Sequence, residues 1–206
     1  MFMQDITRLN PVAALVTGAP VTTGLTAATL VETRAGWRAV GSLRRGEAVQ
    51  TLDGGLRRIA AVERMWILPQ MGADVIDLPG GTFGNDDAVT LLPGQHLLTD
   101  LTRADSELGD LPDALAVLVP AAAIEGWCGA RRRRVAVAQE VVTPLFEEEE
   151  YVWAASGLLL HCPAMGEGAG SVPSVCGVFP RLGEATARRL LAARADGGLA
   201  LPGWAA

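Results

Sequence analysis

Residues 48–52 form a strand-length run closed by Asp53, Gly54 and Gly55. An Asp-Gly pair accepts the positive φ that a tight hairpin needs, so the chain is expected to turn back on itself there. The same punctuation recurs. Residues 29–33 read as a short strand, and 40–47 as a turn or short helical bend. Residues 56–68 fit an alternating and a helical period in part; the preceding Asp-Gly-Gly and the following Pro69 favour strand. Residues 75–78 and 88–98 add strands, the latter split by Pro93 and Gly94. An apolar run at 115–118 precedes a helical turn at 120–124. Residues 135–142 alternate, Thr143 and Pro144 break the run, and 151–155 read as the last strand region. The one convincing helix is 184–194, with Leu182, Ala185, Leu190 and Leu191 on one face and Arg188, Arg189 and Arg194 toward its C-terminal end. Many short strands and one helix make a mostly-β chain. No repeat at a fixed period is present.

Composition narrows the function classes. The 206 residues suit one domain with ends, or two small domains, and 50% hydrophobic content excludes a disordered chain. A net charge of −6 argues against broad nucleic-acid binding, which needs a basic footprint. All 17 basic residues are Arg, a bias of the kind a GC-rich bacterial genome produces. No run approaches the roughly 20 apolar residues of a membrane helix, and residues 1–23 lack the pattern of a secretory signal. Cytoplasmic placement is the default, with export by another route as the alternative. Cys128, Cys162 and Cys176 contain no CxxC pair. Reduced thiols are expected, with a Cys162–Cys176 bridge as the alternative in an exported protein. His161 and Cys162 with Cys176 lack metal-motif spacing, so neither metal nor cofactor is implied.

Five motifs occur in one order. Gly24, Leu25, Thr26, Ala27, Ala28, Thr29, Leu30 and Val31 open the first. Val40, Leu43, Gly46, Glu47, Val49, Thr51, Asp53, Gly54 and Gly55 make the second. Gly81, Thr82, Phe83, Gly84 and Asn85 follow, then Pro93, Gly94, Gln95 and His96, then Phe146 with Glu147, Glu148, Glu149 and Glu150. Together they resemble the bacterial branch of Hint domains, the self-processing modules of hedgehog proteins and inteins. The resemblance spans about residues 24–165 and implies a Hint-type β-horseshoe of short twisted strands with a C-terminal helix. It divides the chain into an irregular lead-in at 1–23, the Hint-like domain at 24–165, and a Gly/Pro linker with the helix at 166–206.

In that family a leading thiol or hydroxyl attacks the preceding peptide carbonyl, so one hard step becomes two through a reactive ester. A His protonates the leaving nitrogen, and a Thr three residues before it polarises the bond. By resemblance the nucleophile position is Gly24, the Thr position is Pro93, and a later His position is Glu149. His96 remains as the catalytic remnant; the competing reading is a histidine hydrogen-bonded locally at a turn. Leu159, Leu160, His161 and Cys162 resemble the end of an intein without its Asn, or form an ordinary strand end.

The resemblance therefore implies a degenerate, non-catalytic scaffold or interaction module whose partner is a protein or peptide. One alternative is autoprocessing near residues 23–24 by acyl shift. The other is small-molecule or peptide binding near His96 and the loop of Gly81, Gly84 and Asn85. Two charged runs, Arg131 to Arg134 and Glu147 to Glu150, are expected on neighbouring strands. Most of Trp37, Trp66, Trp127, Trp153 and Trp204 are expected in the core or at its rim.

Overall fold

The computed structural model describes residues 21–102, 105, 109, 111–166 and 178–196. Most of the lead-in, Cys176, Trp204 and most of the Gly/Pro linker lie outside these residues. Fourteen strands follow in chain order: β1 (Leu25–Thr26), β2 (Leu30–Thr33), β3 (Gly36–Ala39), β4 (Ala48–Thr51), β5 (Gly55–Arg58), β6 (Ala61–Ile67), β7 (Asp74–Leu78), β8 (Val89–Leu91), β9 (His96–Asp100), β10 (Ala116–Pro120), β11 (Arg131–Arg134), β12 (Gln139–Leu145), β13 (Glu150–Ala154) and β14 (Leu158–Cys162). The helix α1 (Glu184–Asp196) closes the described chain. The mostly-β expectation with a C-terminal helix is met.

The strands form two antiparallel sheets. One runs β11-β7-β8-β1-β12-β6; the other runs β10-β9-β14-β13-β2-β4-β5, with β3 beside β2. The Asp53–Gly54 hairpin joins β4 to β5, as its turn chemistry requires. The 56–68 segment is two strands rather than one. Ile59 is buried between β5 and β6, and its N–H donates to Glu47 O at 2.9 Å. Glu47 also caps the preceding turn: its carboxylate accepts from Arg38 and from the Arg44 N–H. These bonds hold its pKa below the usual value.

Pro144 does not break its strand. It pairs with Val62 inside β12, on a stretch that β1 no longer covers, since β1 meets only Val141 and Val142. A proline there removes no ladder bond from β1. The two charged runs are not neighbours, which overturns the expected pairing. The Arg run is β11, opposite Asp74 and Asp77 of β7, whereas Glu150 begins β13 in the other sheet and pairs with Arg57 at 3.3 Å. Carboxylates of β7 and the nearby Glu125 supply the partners: Arg133 bonds Asp77, and Arg132 lies 3.7 Å from Asp74 and bonds Glu125 at 2.9 Å. Among the described tryptophans, Trp37 and Trp66 are exposed, while Trp127 and Trp153 are half-buried at the rim of the core.

The helix packs into the main core, where Leu182, Ala187, Leu190 and Leu191 join residues of both sheets. Ala187 takes the buried place expected for Ala185, which is exposed. Trp127 stacks near Phe83 and donates its indole N–H to Leu191 O at 3.1 Å. Arg194, near the C-terminal end of the helix, also does more than face the dipole. It is buried and forks onto Asp105, Nη2 to Oδ2 at 2.8 Å and Nε to Oδ1 at 3.2 Å, while Nη1 donates to Thr99 Oγ1. Removing one partner of such a pair strands the other charge, at about 3 kcal/mol or more. Arg194→Ala should therefore lower the urea midpoint by that equivalent, and an unchanged midpoint would reject the anchoring role.

Candidate functional site

The site forms where the start of β1 meets the turn before β9. Leu92 O accepts the Gln95 N–H at 2.9 Å, so Pro93 and Gly94 occupy the corner of a tight turn. Gly94 N–H donates to Thr22 O at 2.7 Å. A Cβ on Gly94 would come within 2.8 Å of that same oxygen, so only glycine lets residue 22 approach. Pro93 lacks an N–H, but its carbonyl accepts from Ala122 N–H at 2.8 Å. The turn is thus tied to the lead-in on one side and to the helical turn Ala121–Ile124 on the other.

Gln95 is buried, and its amide joins three strands. Oε1 accepts the Gly24 N–H at 3.1 Å; Nε2 donates to His161 O at 2.8 Å and to His96 O at 3.1 Å. Gly24 itself sits at φ +112, which L side chains rarely adopt. A Cβ there would lie 2.6 Å from Val141 Cγ1 and 2.9 Å from Thr143 Oγ1. The space beside the 23–24 peptide is filled by β12.

His96 lies beside the chain's other histidine. The pairing Leu160↔Leu97, carried one residue further, sets His161 opposite His96, and their rings stand edge to face at 6.4 Å. Burial pushes the His96 imidazole down to about 4, and the nearby His161 and Arg181 add to the effect. His96 is therefore neutral near pH 7.

Glu149 anchors a second cluster. Its Oε1 accepts from Tyr151 OH at 2.9 Å and Val178 N–H at 2.7 Å; its Oε2 lies 3.3 Å from both Arg181 Nη2 and His161 Nε2. Arg181 Nη2 is also 3.1 Å from His161 Nε2. That single nitrogen either accepts from Arg181 or donates to Glu149, so the tautomer decides which bond forms. The His161 bond, then Val178 and Tyr151, hold the Glu149 pKa down at about 2. Burial, and then the hydrogen bond to Glu149, raise the Tyr151 phenol well above its ordinary value. Burial pushes the Cys162 thiol up to about 12, which removes it as a nucleophile.

Through Gln95 and Gly94 the structure brings Gly24 to the turn that holds Pro93 and His96. The loop of Gly81, Gly84 and Asn85 stands apart. Asn85 is fully buried; its Oδ1 accepts from Thr82 and Phe83 N–H, and its Nδ2 donates to Pro79 O and Asp87 O. All four bonds stay within residues 79–87. Gln95, Tyr151 and Arg181 had no role in the sequence reading. Gln95 lay inside a quoted motif, but Arg181 carried no local signal because only folding returns it to β13 and β14. No group of three or more metal-binding side chains occurs among the described residues.

No family model matches the sequence, and no curated protein matches it. Among solved structures the chain is similar to the AceL NrdHF class 3 split intein, a splice-inactive variant, at 10% identity and TM-score 0.46, over 68% of this chain and 97% of that one. It is similar to the bacterial intein-like domain from Clostridium thermocellum at 10% identity and TM-score 0.44, over 68% and 98%. It is also similar to the MchDnaB-1 intein at 15% identity and TM-score 0.38, over 66% and 98%.

The histidine environment predicts a pH dependence. An unfolded His titrates near 6.5, while His96 in the fold titrates at about 4. Between these values the unfolded chain takes up a proton that the fold refuses, so stability falls as pH drops from 6.5 to 4, by at most about 3 kcal/mol. Glu149 adds a further loss from pH 4.5 down toward 2, as its carboxylate is protonated. Urea melts at pH 7 and 4.5 should show the first loss, and His96→Gln should flatten it. An equal slope in that variant would place the titration elsewhere.

Proposed function

We propose that this chain is a degenerate Hint-like domain retained as a scaffold or interaction module, without self-cleavage. The observation that carries the reading is at Gly24. The position that in the family holds the nucleophile has no side chain, and β12 occupies the volume one would need. Nor does Pro93 offer a hydroxyl to polarise the preceding bond. His96 is a neutral imidazole beside His161, not a protonated donor at pH 7. Glu149, at the later His position, spends its carboxylate on Tyr151, Val178, Arg181 and His161.

Autoprocessing remains the competing reading, because Thr22, Gly24 and Gln95 keep the lead-in against the 93–96 turn. Intact mass after expression and prolonged incubation separates the two. The full chain at 21.5 kDa is expected throughout. A mass loss matching residues 1–23 would overturn the scaffold reading, and its abolition by His96→Ala would identify the acid. A second variant probes the filled space. Gly24→Cys should destabilise the fold by about 2 kcal/mol or more, through overpacking and a disfavoured φ, and should yield no cleavage. A stable, self-cleaving Gly24→Cys protein would show that only the thiol was missing.

A further inference from the structure

We propose that the open edge of β5 is a docking strand for an acidic, extended segment of a partner protein. The proposal rests on the interaction-module reading and deepens it by naming the partner's chemistry. β5 ends its sheet: β4 lies on one side, and among the described residues no strand pairs with the other. Leu56, Arg57 and Arg58 are all exposed.

The register tells which backbone groups are free. Ile59 N–H donates to Glu47 O at 2.9 Å, and Ile59 O accepts from Gly46 N–H at 2.8 Å, so residue 59 faces the β4 side. Backbone direction alternates along a strand. Arg57 therefore also faces β4, while Leu56 and Arg58 turn their N–H and C=O groups outward. Donors and acceptors at that spacing are what an added strand needs.

Charge selects the occupant. Arg58 Nη1 donates to Gly46 O at 3.0 Å, which brings its guanidinium to the turn that bears Arg44 and Arg45. None of these three makes an ion pair among the described residues. The nearby carboxylates are engaged: Glu47 by Arg38 and the Arg44 N–H, Glu150 by Arg57, and Glu140 by Arg64. Glu63 of β6 has a partner as well, and Asp53 sits in the hairpin turn, at the opposite end of β5 from Arg58. In a chain of net charge −6, this end of the edge keeps a surplus of guanidinium. Such an edge repels a second copy of itself and attracts carboxylates. Leu56, on the same face as Arg58, adds an apolar contact. A compact polyanion would use the guanidiniums alone, whereas an acidic strand also uses the outward backbone groups.

Acetyl-Glu-Glu-Glu-Thr-Val-Thr-amide is the probe, laid antiparallel so that its acidic end meets Arg58 and its valine meets Leu56. In amide NMR of the full chain it should give saturable shifts at Leu56 and Arg58 and slow hydrogen exchange at both. A copy N-methylated at the valine keeps the charge, loses the bond to Leu56 O, and should bind more weakly by about tenfold. Tripolyphosphate should slow exchange at neither amide. Arg45 is exposed and makes no side-chain bond among the described residues, so Arg45→Glu keeps the fold; it should weaken the probe by about tenfold. Arg58→Gln should weaken it in the same direction. Absence of saturable shifts, exchange slowed equally by tripolyphosphate, equal binding of the N-methylated peptide, or unchanged affinity in Arg45→Glu would each overturn the proposal. Intact mass reads cleavage separately, so failure of the edge and failure of the non-catalytic reading are told apart.

Discussion

The buried amide of Gln95 is the interaction on which the arrangement of the site depends. It accepts from Gly24 at the head of β1 and donates to the carbonyls of His96 in β9 and His161 in β14. β1 belongs to one sheet, and β9 and β14 to the other. One side chain therefore stitches the two sheets where the lead-in enters. Each bond contributes about 1 kcal/mol net, but its loss would leave a buried donor or acceptor unsatisfied at a larger penalty. A hydrophobic replacement of the same size would remove all three bonds at once.

Around that hub the backbone is closely packed. Gly94 lets residue 22 come close, while Val141 and Thr143 pack against Gly24. The second cluster serves the chain's own continuation. Glu149 collects Val178 and Arg181, Phe179 meets Tyr151 edge to face at 5.0 Å, and Leu182 enters the core. Leu118 completes the strap by donating to Pro180 O and accepting from the Leu182 N–H. Arg194 and Asp105 then fasten the far end of the helix. The Glu149 corner is thus bonded to residues 178–182.

Much of the fold was legible in local sequence. Asp53 and Gly54 turn β4 into β5, and Pro93 and Gly94 separate β8 from β9, because turn chemistry acts over a few residues. The helix was legible from its apolar spacing and the glycines after it. The errors share one cause. The arginines of β11 were assigned to the nearest acidic run in sequence, yet strand order placed Asp74 and Asp77 beside them. Arg194 is placed near the helix C-terminus by the sequence, but nothing local announces Asp105. Of the site, the motif order pointed to Gly24, Pro93 and His96; Gln95, Tyr151 and Arg181 stayed silent, since their roles are contacts and not patterns.

By itself the sequence determined where this chain can bend, that its strands are short, and that Gly24 and Pro93 bring neither thiol nor hydroxyl. Those are properties of single residues and of neighbours a few positions apart. Tertiary structure alone decided that two isolated histidines come together, that β12 packs against Gly24, and that Glu149 binds the returning chain. Such facts rest on strand register and sheet order, which bring together residues as far apart as Gly24 and Gln95. Loop closure over that distance is settled by the packing of the whole core, and no short stretch of sequence encodes it.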